Sequence, residues 1–264
     1  MPRRSARRQA RLLSDGYGFL RSVRLRREQV SSFDEYPFSM PAIRTLDELT
    51  FRRSVTYFVG DNGSGKSTLI EAIAQAAGFN PEGGSKSFRL SHRPSESRLH
   101  DFLRITRGPV RERDGFFLRA ETFFNAATYV ESLDLLGAYG GRSLHEQSHG
   151  ESFLTLAQHR FKGNSLFLLD EPEAALSPSR QLSFLGIMHQ LVQRGSQFVI
   201  ATHSPILLAY PDSQIYQFGP EGIQPINYEA TEQFQITYDF LTARERFLRI
   251  LLAPDEDEES RDAT

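Results

Sequence analysis

The chain has 264 residues, a formal net charge of −2 from 31 cationic and 33 acidic side chains, and no cysteine. Its length allows one domain with a sizeable core. The missing cysteines exclude a disulfide framework, a thiolate zinc site and a cysteine nucleophile, and the charge balance gives no overall footprint of nucleic-acid binding.

Arg3, Arg4, Arg7, Arg8, Arg11, Arg21, Arg24, Arg26 and Arg27 crowd the start of the chain, and the end reads "PDEDEESRDAT". Because the only lysines are Lys66, Lys86 and Lys162, arginine is favoured throughout, and the basic start reads as a solvated terminus. A basic arm for DNA or anionic lipid is the alternative. Residues 1–18 and the acidic 251–264 are expected to be flexible flanks of a single domain over 19–250. No apolar run approaches the ~20 residues of a membrane helix, and the start lacks the apolar stretch of a secretory signal. A cytoplasmic protein without a transmembrane segment of its own is expected.

In chain order, "FLRSVRLR" (19–26) and "YPFSMPAI" (36–43) read as short strands. "SVTYFVG" (54–60) is a β-branched and aromatic strand that runs through a glycine-rich turn into "KSTLIEAIAQAAG" (66–78), where Leu69, Ile70, Ile73, Ala76 and Ala77 fall at helical spacing and Gly78 is the stop. Residues 80–98 form a Gly/Ser/Pro/Arg-rich connection, part of an insertion over about 80–150. "DGFFLRAETFF" (114–124) alternates as a strand, and "NAATYVESLDLLG" and "ESFLTLAQHRF" (151–161) read as helices. Leu166 to Leu169 are apolar without alternation, as in a strand covered on both faces. A helix follows from about Ser177 to Arg194, with Ser177 placed to cap it and Pro178 at its first position. A strand over 197–201 leads to Ser204 as cap and Pro205 opening a short helix. "SQIYQFG", "IQPINYE" and "ARERFLRILL" add two strands and a closing helix. Strands alternating with helices predict an α/β fold with a mostly parallel sheet.

"GDNGSGKST" (60–68) satisfies the phosphate-loop pattern between a strand and a helix. Gly60, Asp61, Asn62, Gly63, Ser64 and Gly65 would turn backbone N–H groups towards phosphate oxygens at a helix N-terminus. Lys66 adds a charge for the β- and γ-phosphates, Ser67 a hydroxyl for Mg²⁺, and Thr68 completes the stretch. "LFLLDEPE" (166–173) ends a buried strand on Asp170, which can hold Mg²⁺ through water, and Glu171, which can orient or deprotonate an attacking water. His203 in "ATHSP" follows another apolar strand, and parallel strands would deliver it to the edge that holds Lys66 and Asp170. In "EQSHGESF" (146–153), Ser148 or Ser152 can cap a helix, Gly150 permits the turn, and Glu151 suits the positive end of the helix dipole.

"GDNGSGKST", "SHGES", "LFLLDEPEAALSP" and "ATHSP", in that order, resemble the ATPase heads of the ABC superfamily, in the style of the SMC-like, RecF-like and OLD-like proteins of AAA type. The resemblance covers about 19–230. It implies a P-loop NTPase fold with an antiparallel N-terminal β-subregion and a small helical insertion carrying the signature motif. It also implies ATP and Mg²⁺ as cofactors, ATP hydrolysis, and an ATP-dependent homodimer in which Ser148, Gly150 and His149 face the γ-phosphate held by the partner's Lys66. His203 becomes the switch histidine. DNA or a separately encoded effector protein is the partner such heads imply, in repair, maintenance or defence. The alternatives are the ATP-binding subunit of a transporter and a non-hydrolysing switch.

Several positions depart from the transporter pattern. The signature reads Gln147, Ser148, His149, Gly150 and Glu151, and Ser177 stands where transporters carry the D-loop aspartate. No glutamine loop stands out; Glu121 and Asn125 come nearest to that role, and Tyr36 and Phe38 are the aromatics nearest to an adenine contact. About eighty residues separate the phosphate loop from the signature, too few for coiled-coil arms, and nothing after 230 is long enough for a nuclease domain, so a bare head is expected.

Overall fold

In a computed structural model, residues 18–85, 97–119 and 149–253 are described. Their strands are β1 (Leu20–Leu25), β2 (Glu48–Thr50), β3 (Val55–Gly60), β4 (Leu103–Arg107), β5 (Asp114–Arg119), β6 (Ser165–Asp170), β7 (Gln197–Ala201), β8 (Gln214–Gly219) and β9 (Gly222–Ile226). The helices are α1 (Pro41–Arg44), α2 (Lys66–Ala76), α3 (His149–Arg160), α4 (Pro178–Gln193), α5 (Pro205–Leu208), α6 (Glu232–Thr242) and α7 (Arg244–Leu251).

The central sheet runs β5-β6-β7-β3-β8-β9. β5 to β8 are parallel neighbours in that order and β9 returns antiparallel on β8. β3, β6 and β7 are buried along their whole length, which explains their unbroken apolar runs. Alternate side chains feed two cores. Phe58, Leu168 and Val199 face α2, through Leu69, Ile70 and Ile73, and the small antiparallel sheet β2-β1-β4 through Val23, Leu49 and Leu103. Tyr57, Phe167 and Ile200 face Phe153 and Leu156 of α3 and Phe184 and Met188 of α4. Each fully buried Phe or Leu is worth about 1.5–3 kcal/mol of transfer free energy.

One polar side chain ties the two sheets together. Gln197, fully buried at the start of β7, accepts from the Leu20 N–H at 2.9 Å and donates to the Leu20 carbonyl at 2.8 Å. The amide thus satisfies both backbone groups of β1's first residue, which would otherwise be buried and unpaired.

Several expected elements come out differently. Residues 36–43 are not a strand: Met40 is extended and Pro41 opens α1. Proline lacks the N–H that a ladder needs, while its fixed φ suits a first helical turn. β2 and β4 lie in stretches that carry too little alternation to stand out. Ser177 sits at the N-cap of α4 without a side-chain cap bond; its hydroxyl lies 3.2 Å from that of Ser179 instead. Ser152 lies inside α3, not at its start. Ser204 does cap α5, accepting from the Leu207 N–H at 3.1 Å. Two closing helices replace the one expected, because Thr231 caps α6 through the Phe234 N–H. The expected cap and signature residue Ser148, the glutamine-loop candidates Glu121 and Asn125, and the helix over 125–137 lie outside the described residues.

Candidate functional site at the carboxyl edge of the sheet

Parallel pairing fixes what meets at the edge. Asp170 is in register with Ala201, and Phe58 with Ala201, so the loops after β3, β6 and β7 leave the sheet side by side. Residues 60–65 form a tight loop in which Gly60 has φ +139°, and a Cβ there would sit 2.3 Å from the Phe218 carbonyl oxygen. Only glycine tolerates both constraints. Gly65 is the N-cap of α2, so the loop closes directly on a helix N-terminus, where N–H groups and dipole favour an anion.

Lys66 is 4% exposed, and its ammonium donates to the carbonyls of Gly60 at 2.7 Å and Asp61 at 2.8 Å. Two of its three donors hold the loop's own shape, and the third remains for a phosphate oxygen. Burial lowers its pKa, against the opposing charges of Glu171, Asp170 and Asp61. The Ser64 hydroxyl is out of solvent and has no hydrogen-bond partner among the described residues. Asn62, Gly63, Gly65, Ser67 and Thr68, together with Met40 and Glu171, line an open pocket of about 310 Å³.

Ser67 and Asp170, 103 positions apart, meet here: the hydroxyl donates to Asp170 Oδ1 at 3.0 Å. Asp170 is 7% exposed, and burial pushes its carboxyl up to about 7; the Glu171 charge adds to this, while the Ser67 bond, Arg119 and Lys66 oppose it. A buried carboxylate with a hydroxyl beside it suits a hard cation, and Mg²⁺ takes one or two protein oxygens and fills its other positions with phosphate and water.

Glu171 takes a left-handed conformation (φ 49°, ψ 52°), with its N–H donating to the Ala201 carbonyl at 2.9 Å. That conformation is uncommon for a residue with a side chain, and Pro172 follows at the first position of a 3₁₀ turn. Across the edge, His203 Nε2 stands 3.8 Å from Glu171 Oε1. This exceeds hydrogen-bond length, so both groups are free to act on a third. Burial, and next the Lys66 charge, lower the pKa of His203, against Glu171 and Asp61. The imidazole is therefore biased towards its neutral form.

The residues predicted for phosphate, cation and water thus converge: Lys66, Ser67, Asp170, Glu171 and His203 share one edge. Gly150 lies elsewhere, in the first turn of α3, where an added Cβ would meet the Ala175 carbonyl and the Arg180 guanidinium, both at 2.7 Å. Glu151 pairs with Arg180 at 3.0 Å. Tyr36 is exposed and its hydroxyl lies 3.4 Å from that of Thr68, whereas Phe38 packs edge-on against Phe33 and Phe102. Of the two aromatics, Tyr36 is thus the one at the loop.

Two residues escaped the sequence reading. Arg119, in register with Asp170, pairs with Glu71 at 3.2 Å and lowers the Asp170 pKa. Its signal was a charge at the end of an apolar strand. Glu173 accepts from the His203 N–H at 2.6 Å; its signal was a further acid directly after Asp-Glu-Pro.

Residues 39–131 match the family described as "AAA domain", and residues 137–209 match "AAA domain, putative AbiEii toxin, Type IV TA system". The zinc import ATP-binding protein ZnuC of Vibrio cholerae is 27% identical over 169 residues, which cover 61% of this chain and 62% of that one. The macrolide export ATP-binding/permease protein MacB of Campylobacter jejuni is 23% identical over 176 residues, covering 57% and 26%. The chain therefore spans less than two thirds of the length of either relative. A solved ATP-binding cassette of an ABC transporter in its ADP conformation is 18% identical, covering 88% of this chain and 98% of that one, with a TM-score of 0.46. With the phosphate loop, the acidic strand end and the histidine in order on one edge of a mostly parallel sheet, the chain has the P-loop fold of the ABC-ATPase type, and its sequence is similar to AAA domains and to ATP-binding proteins of ABC transporters.

Proposed function

We propose that this domain binds ATP with Mg²⁺ and hydrolyses it as one half of an ATP-closed homodimer. The observation that carries the reading is the Ser67–Asp170 bond beneath the phosphate loop, with Glu171 and His203 facing each other on the same edge. In this reading the backbone of residues 60–65 cradles the phosphates, Lys66 reaches the β- and γ-phosphates, and Thr68 and Tyr36 lie along the nucleotide. Ser67 and Asp170 hold Mg²⁺, which supplies charge neutralisation at the phosphates. Glu171 orients the attacking water and takes its proton, and neutral His203 donates a hydrogen bond to the γ-phosphate.

Ser148 and Gly150 belong to the partner's site. Gly150 packs against Ala175 and Arg180 of its own chain, and the helix N-terminus at 149–151 is an anion site for a second subunit. Because phosphoryl transfer depends on positioning and charge stabilisation, a head without its second cap turns over slowly. Phosphate release measured across a protein dilution series tests this: turnover per subunit should rise with concentration and vanish with a chelator. Strict proportionality to protein across the series contradicts the homodimer.

A second reading concerns the output of the cycle. The curated relatives are named as ATP-binding components for zinc import and macrolide export, which favours the energising subunit of a transporter over the repair or defence role expected from motif style. No helix among the described residues is long and apolar enough to cross a membrane, so in this reading the membrane partner is a separate segment or chain. Co-purification of a membrane protein with the Glu171→Gln form tests it, and recovery of DNA instead restores the first expectation.

A further inference from the structure

The turn that carries His203 is held by an unusual set of bonds. Its three successive N–H groups go to three different places. Thr202 N–H donates to the Phe58 carbonyl of β3 at 3.1 Å, and Ser204 N–H to the Thr202 hydroxyl at 3.0 Å. His203 N–H donates to a side chain 30 positions away, Oε1 of Glu173, at 2.6 Å.

Glu173 sits in the 3₁₀ turn Pro172–Ala175, directly after Glu171. One short segment therefore carries Glu171 and, two residues later, the group that grips the backbone opposite it. Oε2 of Glu173 is out of solvent and has no hydrogen-bond partner among the described residues. Burying a carboxylate and leaving one oxygen unpaired costs stability. Burial accordingly raises the Glu173 pKa, the largest of its influences. A group retained at such a cost is better explained by what it positions than by what it stabilises.

We propose that Glu173 is a positioning residue: by accepting the His203 N–H it sets the turn after β7 so that the imidazole faces Glu171 at the sheet edge that carries the phosphate loop. The proposal rests on the reading that this edge hydrolyses ATP. Glu173 touches neither nucleotide nor water in it, and acts through the His203 backbone. Because Glu171 and Glu173 share one turn, a shift of that turn moves the carboxylate and the imidazole together, preserving their 3.8 Å relation.

The test is Mg²⁺-ATP hydrolysis by the full chain at one fixed protein concentration, with ATP affinity measured separately. Glu173→Ala should lower kcat by ~10–100-fold with KM and ATP affinity unchanged, the size expected when a reacting group loses its support. Glu173→Asp, which withdraws the acceptor by one methylene, should behave likewise and carries the test if the alanine form fails to fold. Glu173→Gln, which keeps an acceptor for the His203 N–H, should retain most of the turnover. Glu173→Ala combined with His203→Ala should be no slower than His203→Ala alone.

A Glu173→Ala kcat equal to that of the parent, losses that multiply in the double variant, or a glutamine form as slow as the alanine form overturns the proposal. A parent chain without turnover, or one whose turnover survives Glu171→Gln, overturns the hydrolysis reading itself and the proposal with it. Turnover that needs Glu171 and His203 but ignores Glu173 overturns the positioning role alone.

Discussion

The hydroxyl of Ser67, in the first turn of α2, donates to Oδ1 of Asp170, the last residue of β6, at 3.0 Å. A hydroxyl and a buried carboxylate that share one hydrogen bond can exchange it for a common cation. Asp170→Asn should therefore lower Mg²⁺-dependent ATP affinity by ~10–100-fold, the loss of one charge-assisted interaction. A fluorescent-nucleotide titration with and without Mg²⁺ checks this; the variant should resemble the parent in chelator.

Glu171 stands outside that pair, its side chain 41% exposed beside His203. Glu171→Gln should keep ATP binding while turnover falls by ~10²–10⁴-fold, the usual worth of general-base catalysis. Trapped nucleotide should hold two heads together, so gel filtration with ATP and Mg²⁺ should show a dimer. A monomer under those conditions would sink the closed-dimer reading.

The phosphate loop is sterically exacting at its entrance. Gly60→Ala would push a Cβ to 2.3 Å from the Phe218 carbonyl at a φ of +139° and should destabilise the fold by at least ~1–3 kcal/mol. Gly186, inside α4, has open space where a Cβ would go. Gly186→Ala should stabilise by ~0.5–1 kcal/mol through helix propensity. Thermal melts of the two variants should move in opposite directions.

Gln197 joins the sheets through both backbone groups of Leu20. Gln197→Leu fills similar volume but leaves a buried N–H and a buried carbonyl unpaired. At ~1–3 kcal/mol for each orphaned group, the loss should be about 2–6 kcal/mol in a denaturant titration. A loss below ~1 kcal/mol would mean that β1 finds other partners.

Asp114, at the start of β5, is paired with Arg160 of α3. Burial raises the Asp114 pKa, but the Arg160 hydrogen bonds, the Gly115 N–H and the charges of Arg160 and Lys162 outweigh it, leaving the value below the ordinary 3.8. A folded-state pKa that is lowered adds stability above the unfolded value, and that stability is lost as pH falls through the folded one. Asp114→Asn should thus destabilise the protein near neutral pH, and its difference from the parent should shrink as the solution is acidified below about 3.8. Melting points over an acid series check the sign.

The phosphate loop, the buried strand ending in Asp170 and Glu171, and the strand ending before His203 were legible in the sequence because each is local. Each is an apolar run, a turn residue and a reactive group within about a dozen positions, where sterics and burial act on neighbours. Their meeting at one edge followed from strand–helix alternation, since parallel strands point their carboxyl ends the same way. Other features depended on partners far along the chain. Residues 36–43 look extended until Pro41 opens a helix, and Tyr36 and Phe38 are equivalent until Phe33 and Phe102 claim one ring. Gln197 reads as a polar interruption at the start of a strand until Leu20, 177 positions earlier, needs both its donor and its acceptor. Glu173 reads as a surface acid until the fold lays the His203 N–H against it. A side chain's type and periodicity decide which element it joins; whether it is buried, and which lone pair or N–H it must satisfy there, is decided only when strands distant in sequence pack into one sheet.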